Sequence, residues 1–247
     1  MRLETAAWPG DDDRAPIVLL HEGLGSVAMW KAFPARLAAR TGRRVVAYSR
    51  RGYGRSAPRA EPYAHAYMQR EGEAVVPAVL AELGIARAVL FGHSDGASIA
   101  LVAAAEHPML VEALVLEAPH VFVEDLSVRS IAAARAAWEE TDLRARLGRY
   151  HDDVDGAFRG WNEIWLSPAF RDWNIEAYAA RVRAPMLVIQ GEADEYGTRA
   201  QVESIAVRAP RVRTCMLAGA GHSPHRDDEG AVLERVAAFL DAPNDAA

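Results

Sequence analysis

The chain has a single cysteine, Cys215, in 247 residues. It can form no internal disulfide and no thiolate metal cluster. Set in the apolar run Cys215-Met216-Leu217, it reads as a small buried hydrophobe. Lysine is as scarce: Lys31 is the only one, so nearly all positive charge is arginine, a bias of a GC-rich genome. Excess positive charge is missing too. The formal net charge is −6, which argues against a surface for nucleic acid or anionic membrane. Nowhere do about 18 apolar residues run uninterrupted, so no segment is expected to span a membrane. The first five residues carry an acid and no apolar run, unlike a signal peptide. Internal repeats and low-complexity linkers are absent. A cytoplasmic enzyme fits these limits, and 51% hydrophobic with 25% charged residues is ordinary for a globular chain.

The stretch 89–97 organises the rest. Val89-Leu90-Phe91 runs into Gly92-His93-Ser94-Asp95-Gly96, and a stretch without helix breakers follows from Ala97. Three apolar residues, a Gly-x-Ser-x-Gly turn and a helix place a serine at the apex of a tight strand-to-helix turn. The glycines leave room for close backbone approach. The NH of Asp95 then lies at a helix N-terminus, where unpaired NH groups and the helix dipole favour developing negative charge.

Taken in order, 2–8 reads as a short strand and 17–20 as a buried one, running into His21-Glu22-Gly23-Leu24-Gly25-Ser26. A helix is expected over 28–40, a strand over 44–48, a glycine-rich loop at 51–56 and a helix over 64–83. After the Ser94 unit comes a strand at 111–116. From 119 to 183 strand-like runs vanish, and three amphipathic stretches appear near 127–147, 153–166 and 174–182. Four of the six tryptophans lie here, among them Trp138, Trp161 and Trp165. Alternation resumes with a strand at 186–189, a helix at 198–208, a strand at 212–217 and a final helix at 229–240. Alternating strands and helices imply an α/β fold, a mostly parallel sheet covered on both faces. The expected organisation is a core in two parts, 1–118 and 184–247, with a helical cap of 119–183 over the strands' carboxyl ends, where ligands of open α/β sheets bind.

Two loops past later strands complete a pattern with Ser94: Gln190-Gly191-Glu192-Ala193-Asp194 and Ala218-Gly219-Ala220-Gly221-His222. A serine hydroxyl is a poor nucleophile until a base takes its proton, and a carboxylate must orient that base. The order Ser94, Asp194, His222 is the one this arrangement takes on an α/β sheet. Glu192, Glu195, Glu117 and Asp125 are the rival acids, and His225, read as the start of the last helix, is the rival base. His93 and His21 read as scaffold beside the site, and His65, His107, His120 and His151 as surface or packing positions.

With Leu20-His21, Arg51-Gly52-Tyr53-Gly54-Arg55-Ser56, Gly92 to Gly96, Gly191 to Asp194 and Gly221-His222 all in order, the chain resembles the α/β-hydrolase superfamily over nearly its whole length. The resemblance implies Ser94 as nucleophile, His222 as general base, Asp194 as its orienter, and an oxyanion hole from the NH of Asp95 plus that of Gly23 or Leu24. It also implies an enzyme without metal or organic cofactor, acting on a small-molecule ester, lactone or related acyl compound. A C–C bond hydrolase of aromatic breakdown is the alternative on the same residues. The family usually has His-Gly where this chain has His21-Glu22-Gly23; Glu22 is either turned into the scaffold or meets a cationic or hydroxylated part of the substrate. Trp138, Trp161 and Trp165 are candidate pocket residues, though Phe158, Trp161 and Trp165 recur at helical spacing, and such a stripe also builds a core. The family often starts with a two-stranded hairpin, for which little room precedes Ile17.

Two other readings stay open. Gly23-Leu24-Gly25-Ser26-Val27-Ala28 matches a dinucleotide-binding turn, and Arg50 or Arg51 after the next strand could hold a 2′-phosphate, as in an NADP-dependent reductase. A receptor of the same fold, binding its ligand without hydrolysis, is the other. A homodimer is compatible with the sequence, since no interface can be told from a core stripe.

Overall fold

The computed structural model describes residues 2–242. Seven strands form one sheet: β1 (Thr5–Trp8), β2 (Ile17–Leu20), β3 (Val45–Tyr48), β4 (Ala88–His93), β5 (Val111–Glu117), β6 (Met186–Gly191) and β7 (Val212–Leu217). Their order is β1-β3-β2-β4-β5-β6-β7. Only β1 runs antiparallel, against β3. It is the single strand before Ile17 among the described residues, in place of the hairpin that the family pattern suggests.

Strand periodicity builds two cores. Ile17 and Leu19, Val45 and Ala47, and Val89 and Phe91 point to one face, where they meet α1 (Phe33–Thr41) and α11 (Glu229–Asp241). Val18 and Leu20, Val46 and Tyr48, and Leu90 point to the other, against α3 (Val76–Glu82), α4 (Asp95–Glu106) and α9 (Arg199–Ala206). Alternate residues of a strand face opposite sides, so a run apolar throughout is buried on both. The helix α4 is buried along almost its whole length. Its small residues let it lie close to the sheet.

Two expected helices are interrupted. The 28–40 stretch is a short 3-10 turn, Val27–Trp30, and then α1, with Lys31 between them at φ 55°. The break turns Trp30 inward, where its ring lies on Phe33, Phe91 and His225. The 64–83 stretch comprises α2 (Tyr67–Arg70), a π turn over Glu71–Val75 and α3. Pro77 has no NH for the carbonyl of Glu73, and His107 Nε2–H donates to that carbonyl instead at 2.7 Å.

Between β5 and β6 lie α5 (Asp125–Glu140), α6 (Leu143–Leu147), α7 (Val154–Leu166), a 3-10 turn at Pro168–Phe170 and α8 (Glu176–Ala179). The expected 127–147 helix is thus two, divided at Thr141 and Asp142. A short helix α10 (Pro224–Asp227) precedes α11, so His225 belongs to it and not to the last helix. No helix among the described residues is long and apolar enough to cross a membrane.

Candidate active site

The strand order reverses between β2 and β4, which are neighbours although β3 separates them in sequence. At such a switch point the loops leaving the carboxyl ends diverge and open a crevice. The loop 21–25 leaves β2 there, and Ser94 leaves β4.

Ser94 sits at φ 54°, in the left-handed region that non-glycine residues seldom adopt. The turn is held by its neighbours. Its NH donates to the Glu117 carbonyl at 2.9 Å, and its carbonyl accepts from the NH groups of Ala97 and Ser98 at 2.9 and 3.1 Å. The flanking glycines are obligatory on steric grounds: a methyl on Gly92 would stand 2.2 Å from the Gly96 carbonyl oxygen, and one on Gly96 would stand 2.0 Å from that of Leu20. The first turn of α4 therefore rests directly on the ends of β4 and β2.

The structure brings Ser94, His222 and Asp194 together. His222 Nε2 lies 2.9 Å from Ser94 Oγ, and Nδ1 lies 2.8 Å from Asp194 Oδ1. Asp194 Oδ1 also accepts the NH groups of Tyr196 at 2.8 Å and Gly197 at 3.1 Å. Since the carboxylate can only accept, Nδ1 carries the proton and Nε2 is free to accept from the serine. Burial acts to lower the His222 pKa, but the hydrogen bond and charge of Asp194 outweigh it and the net shift is upward from 6.5. Burial acts to raise the Asp194 pKa, and His222 and the Tyr196 NH pull it below its ordinary value. Such an arrangement can deprotonate a hydroxyl at neutral pH.

Around Ser94 lies a cavity of about 150 Å³, whose walls include Gly23, Leu24, Asp95, His120, Ile131, Trp161, Trp165 and Tyr196. Trp161 and Trp165 of α7 form part of its wall. A methyl on Gly23 would stand 2.2 Å from the Trp161 ring, so that ring lies on the 21–25 loop itself. Trp138 is not a wall residue. Two helical turns beyond Ile131 on α5, about 10 Å along the axis, it stacks on Phe158 with centroids 4.0 Å apart.

Glu22 reaches the cavity, but its oxygens face the scaffold. Oε1 accepts from Arg226 at 3.2 Å, and Oε2 lies 3.6 Å from His93 Nδ1. Burial raises its pKa, yet His93 and Arg226 together hold it well below 4.5. Both oxygens thus have scaffold partners while the side chain borders the cavity. His93 in turn donates from Nε2 to the His222 carbonyl at 2.7 Å and steadies the loop carrying that histidine.

His120, a surface or packing position on the sequence pattern, lies in the wall, 2% exposed, with its ring 5.6 Å from that of His222. Burial first, then His222, pushes its pKa down to about 3, so it faces the cavity as a neutral ring. Its place three residues past the end of β5, on the Ser94 edge, was the available signal. His151, read in the same way, is buried and bridges two loops: Nδ1 accepts the Gly54 NH at 2.9 Å and Nε2–H donates to the Leu24 carbonyl at 3.0 Å.

Among the described residues one cluster could offer ligands to a metal. His93, Glu117 and His225 have potential ligand atoms within 4.8 Å of one another. Glu117 Oε2 is however 2.6 Å from His225 Nδ1, and its Oε1 accepts the His225 NH at 2.7 Å. Ligands around one tetrahedral zinc stand about 3.3 Å apart at the usual bond lengths. The spacing is that of a hydrogen-bonded acid–histidine pair. The dinucleotide turn does not fit either. After Gly23-Leu24-Gly25 comes a four-residue 3-10 turn and not an α-helix whose dipole could face a pyrophosphate. The space beside the glycines is taken by Trp161 and the Glu22 carboxylate.

Comparison with known proteins bears on the same features. A family model described as the alpha/beta hydrolase family matches residues 17–235. The sn-1-specific diacylglycerol lipase ABHD11 of Danio rerio is 34% identical over 109 residues, 44% of this chain, and the match spans only about a third of that relative's length, 33%. The putative carbamate hydrolase RutD of Variovorax paradoxus is 29% identical over 241 residues, 88% of each chain. Among solved structures, the enol-lactonase of Burkholderia xenovorans superposes with a TM-score of 0.76 at 24% identity, covering 97% of this chain and 96% of the other.

Proposed function

We propose that this chain, which belongs to the α/β-hydrolase family, is a serine hydrolase that cleaves a small, uncharged carboxylic ester or lactone. The observation that carries the reading is the hydrogen-bonded line from Ser94 Oγ through His222 to Asp194, at 2.9 and 2.8 Å. In the proposed reaction Ser94 Oγ attacks the carbonyl carbon as its proton passes to His222 Nε2. The tetrahedral oxyanion meets the NH of Asp95, the first of α4, and the NH of Gly23. His222 returns the proton to the departing alkoxide as the C–O bond breaks, leaving an acyl-enzyme. Water, deprotonated by the same nitrogen, releases the acid and restores Ser94. Asp194 holds the imidazole in the tautomer that both halves require.

The walls support the substrate class. A cavity of about 150 Å³ holds a group the size of benzene, which suits an acyl chain of roughly six heavy atoms. Among the described residues no arginine or lysine lines it, whereas Glu22 and Asp95 do. An anionic acyl group would lack a counter-charge there, which favours a neutral one. Residues 119–183 would be the cap that closes this space, with Trp161 and Trp165 in its underside and Trp138 in its own packing. The names of the relatives, a lipase, a carbamate hydrolase and an enol-lactonase, agree with acyl chemistry and do not fix the substrate.

A series of p-nitrophenyl esters tests this. The expected kcat/KM is highest for acetate to butyrate, lower by at least about tenfold for octanoate because overfilling a packed site is costly, and lost in Ser94→Ala. Octanoate turning over as well as butyrate would refute the size argument. Turnover surviving in Ser94→Ala would refute the nucleophile.

A further inference from the structure

Arg50 is not among the residues to which the reaction above gives a part. It leaves the carboxyl end of β3, and its side chain is 1% exposed. Buried arginines need acceptors, and these are specific ones. Nη1 donates to the His21 carbonyl at 2.5 Å, Nη2 donates to the Glu22 carbonyl at 3.0 Å, and the Arg50 NH donates to His21 Nε2 at 3.0 Å. The second contact matters most. The carbonyl of Glu22 and the NH of Gly23 share one trans peptide plane and point in opposite directions. The Glu22 carbonyl also accepts from His21 Nδ1–H at 2.7 Å and from the Gly25 NH at 3.1 Å; with these donors Arg50 fixes the carbonyl and so turns the Gly23 NH the opposite way. The carbonyl of Gly23, in plane with the Leu24 NH, has no such contact with Arg50, so the grip acts on the Gly23 NH.

Arg50 also stands 4.0 Å from the Asp95 carboxylate, itself 1% exposed. That carboxylate accepts from the Tyr67 hydroxyl at 2.6 Å and from the Trp165 indole NH at 3.2 Å. Asp95 is the residue whose backbone NH supplies the other oxyanion donor. A lone carboxylate on that residue would oppose the negative charge that its own NH is meant to stabilise.

We propose that Arg50 is the positioning residue of the oxyanion hole: its two-pronged grip on the His21 and Glu22 carbonyls aims the Gly23 NH, and its charge neutralises the Asp95 carboxylate beside the developing oxyanion. The proposal rests on the serine-hydrolase reading of the site. The groups facing Asp95 are Arg50, Tyr53, Tyr67 and His222, with the indole of Trp165. Burial, foremost, lifts both tyrosines well above 10. Burial likewise raises the Asp95 pKa against the pull of Arg50, Tyr67 and Trp165, so loss of Arg50 drives it further up.

The test compares Arg50→Leu, Arg50→Lys and the double variant Arg50→Leu/Asp95→Asn with wild type, by kcat and KM on p-nitrophenyl butyrate from pH 5 to 9, with Tm as a check of folding. For Arg50→Leu the expected result is a fall in kcat of about 100-fold, with KM changed by less than about threefold. A new alkaline limb should appear, along which activity declines as Asp95 ionises. The double variant should lose that limb and regain about tenfold in kcat over the single one. Arg50→Lys keeps the charge without the fork, so it should lose about tenfold and show no limb; it carries the test if the leucine variant does not fold. Both single variants within about threefold of wild type in kcat would overturn the proposal. So would equal losses in the single and double variants without a new limb, the mark of a structural role. Wild type active through Ser94 with unaffected Arg50 variants refutes this proposal alone, whereas wild type without Ser94-dependent turnover refutes the site reading and this proposal together.

Discussion

Replacing Glu117 by glutamine should destabilise the protein by removing one of two hydrogen bonds from a sealed position. Glu117 is 0% exposed, and its two oxygens accept separately from the His225 NH at 2.7 Å and from His225 Nδ1 at 2.6 Å. Glutamine has one oxygen for the His225 NH, and its NH2 can meet Nδ1 only after the ring proton moves to Nε2, a buried atom with no hydrogen-bond partner, so the Nδ1–H bond to the carboxylate is lost and a buried donor is left unpaired. A buried donor left unpaired costs roughly 1–3 kcal/mol, a fall in Tm of about 2–10 °C for a chain of this length. The pH dependence supplies a second check. Burial raises the Glu117 pKa, but the His225 ring, its NH and His93 outweigh this and hold it below 4.5. A carboxyl whose folded pKa is depressed contributes stability above its unfolded value, and that stability is lost as pH falls through the folded one. The Tm gap between wild type and Glu117→Gln, read by thermal melts at pH 7, 5 and 4 and below, should therefore be widest at pH 7 and narrow below about pH 4.5. A Tm within about 1 °C of wild type at pH 7, or a gap that does not change with pH, would refute the reasoning.

Other outcomes follow from the same geometry. Because the pKa of His222 is raised above 6.5 by Asp194 despite burial, kcat/KM should climb with pH as that ring loses its proton and level off above it; Asp194→Asn should move the midpoint down and lower kcat by about 10⁴, as for other oriented histidine bases. Gly96→Ala, whose methyl would stand 2.0 Å from a backbone oxygen, should lose Ser94 turnover or fail to fold, with soluble yield and ester hydrolysis as the readouts. Trp161→Ala, which removes a wall of the cavity, should shift the ester preference from butyrate toward octanoate by about tenfold in relative kcat/KM.

Much of this was legible in the sequence because it depends on local pattern. Apolar runs that alternate between two buried faces gave the strands, and Gly92 and Gly96 marked a close approach that the backbone confirms. The carboxyl ends of β4, β6 and β7 carry Ser94, Asp194 and His222 to one edge, as parallel topology requires. What local pattern does not carry is burial of polar side chains. Histidine is equally at home on a surface and in a core, so the sequence places His225 at a helix start without showing that it is the partner of Glu117. His120 looked like packing for the same reason. Arg50 reads in sequence only as one of two possible phosphate ligands because arginine is seldom buried, and its carbonyl partners lie 28 and 29 residues away. Trp138 lies on a helical stretch with nothing in its pattern to mark which turn meets the cavity. Lys31 broke a helix through the demand of Trp30 for the core, a tertiary effect absent from helical propensity.

The central claim is that Ser94 is an activated nucleophile served by His222. Incubation with a fluorophosphonate probe, followed by peptide mapping, tests it most directly on wild type, Ser94→Ala and His222→Ala. Wild type should give a single adduct on Ser94, Ser94→Ala none, and His222→Ala labelling slowed by about 10³-fold or more. An unlabelled wild type, or an adduct on another residue that persists in Ser94→Ala, would contradict it.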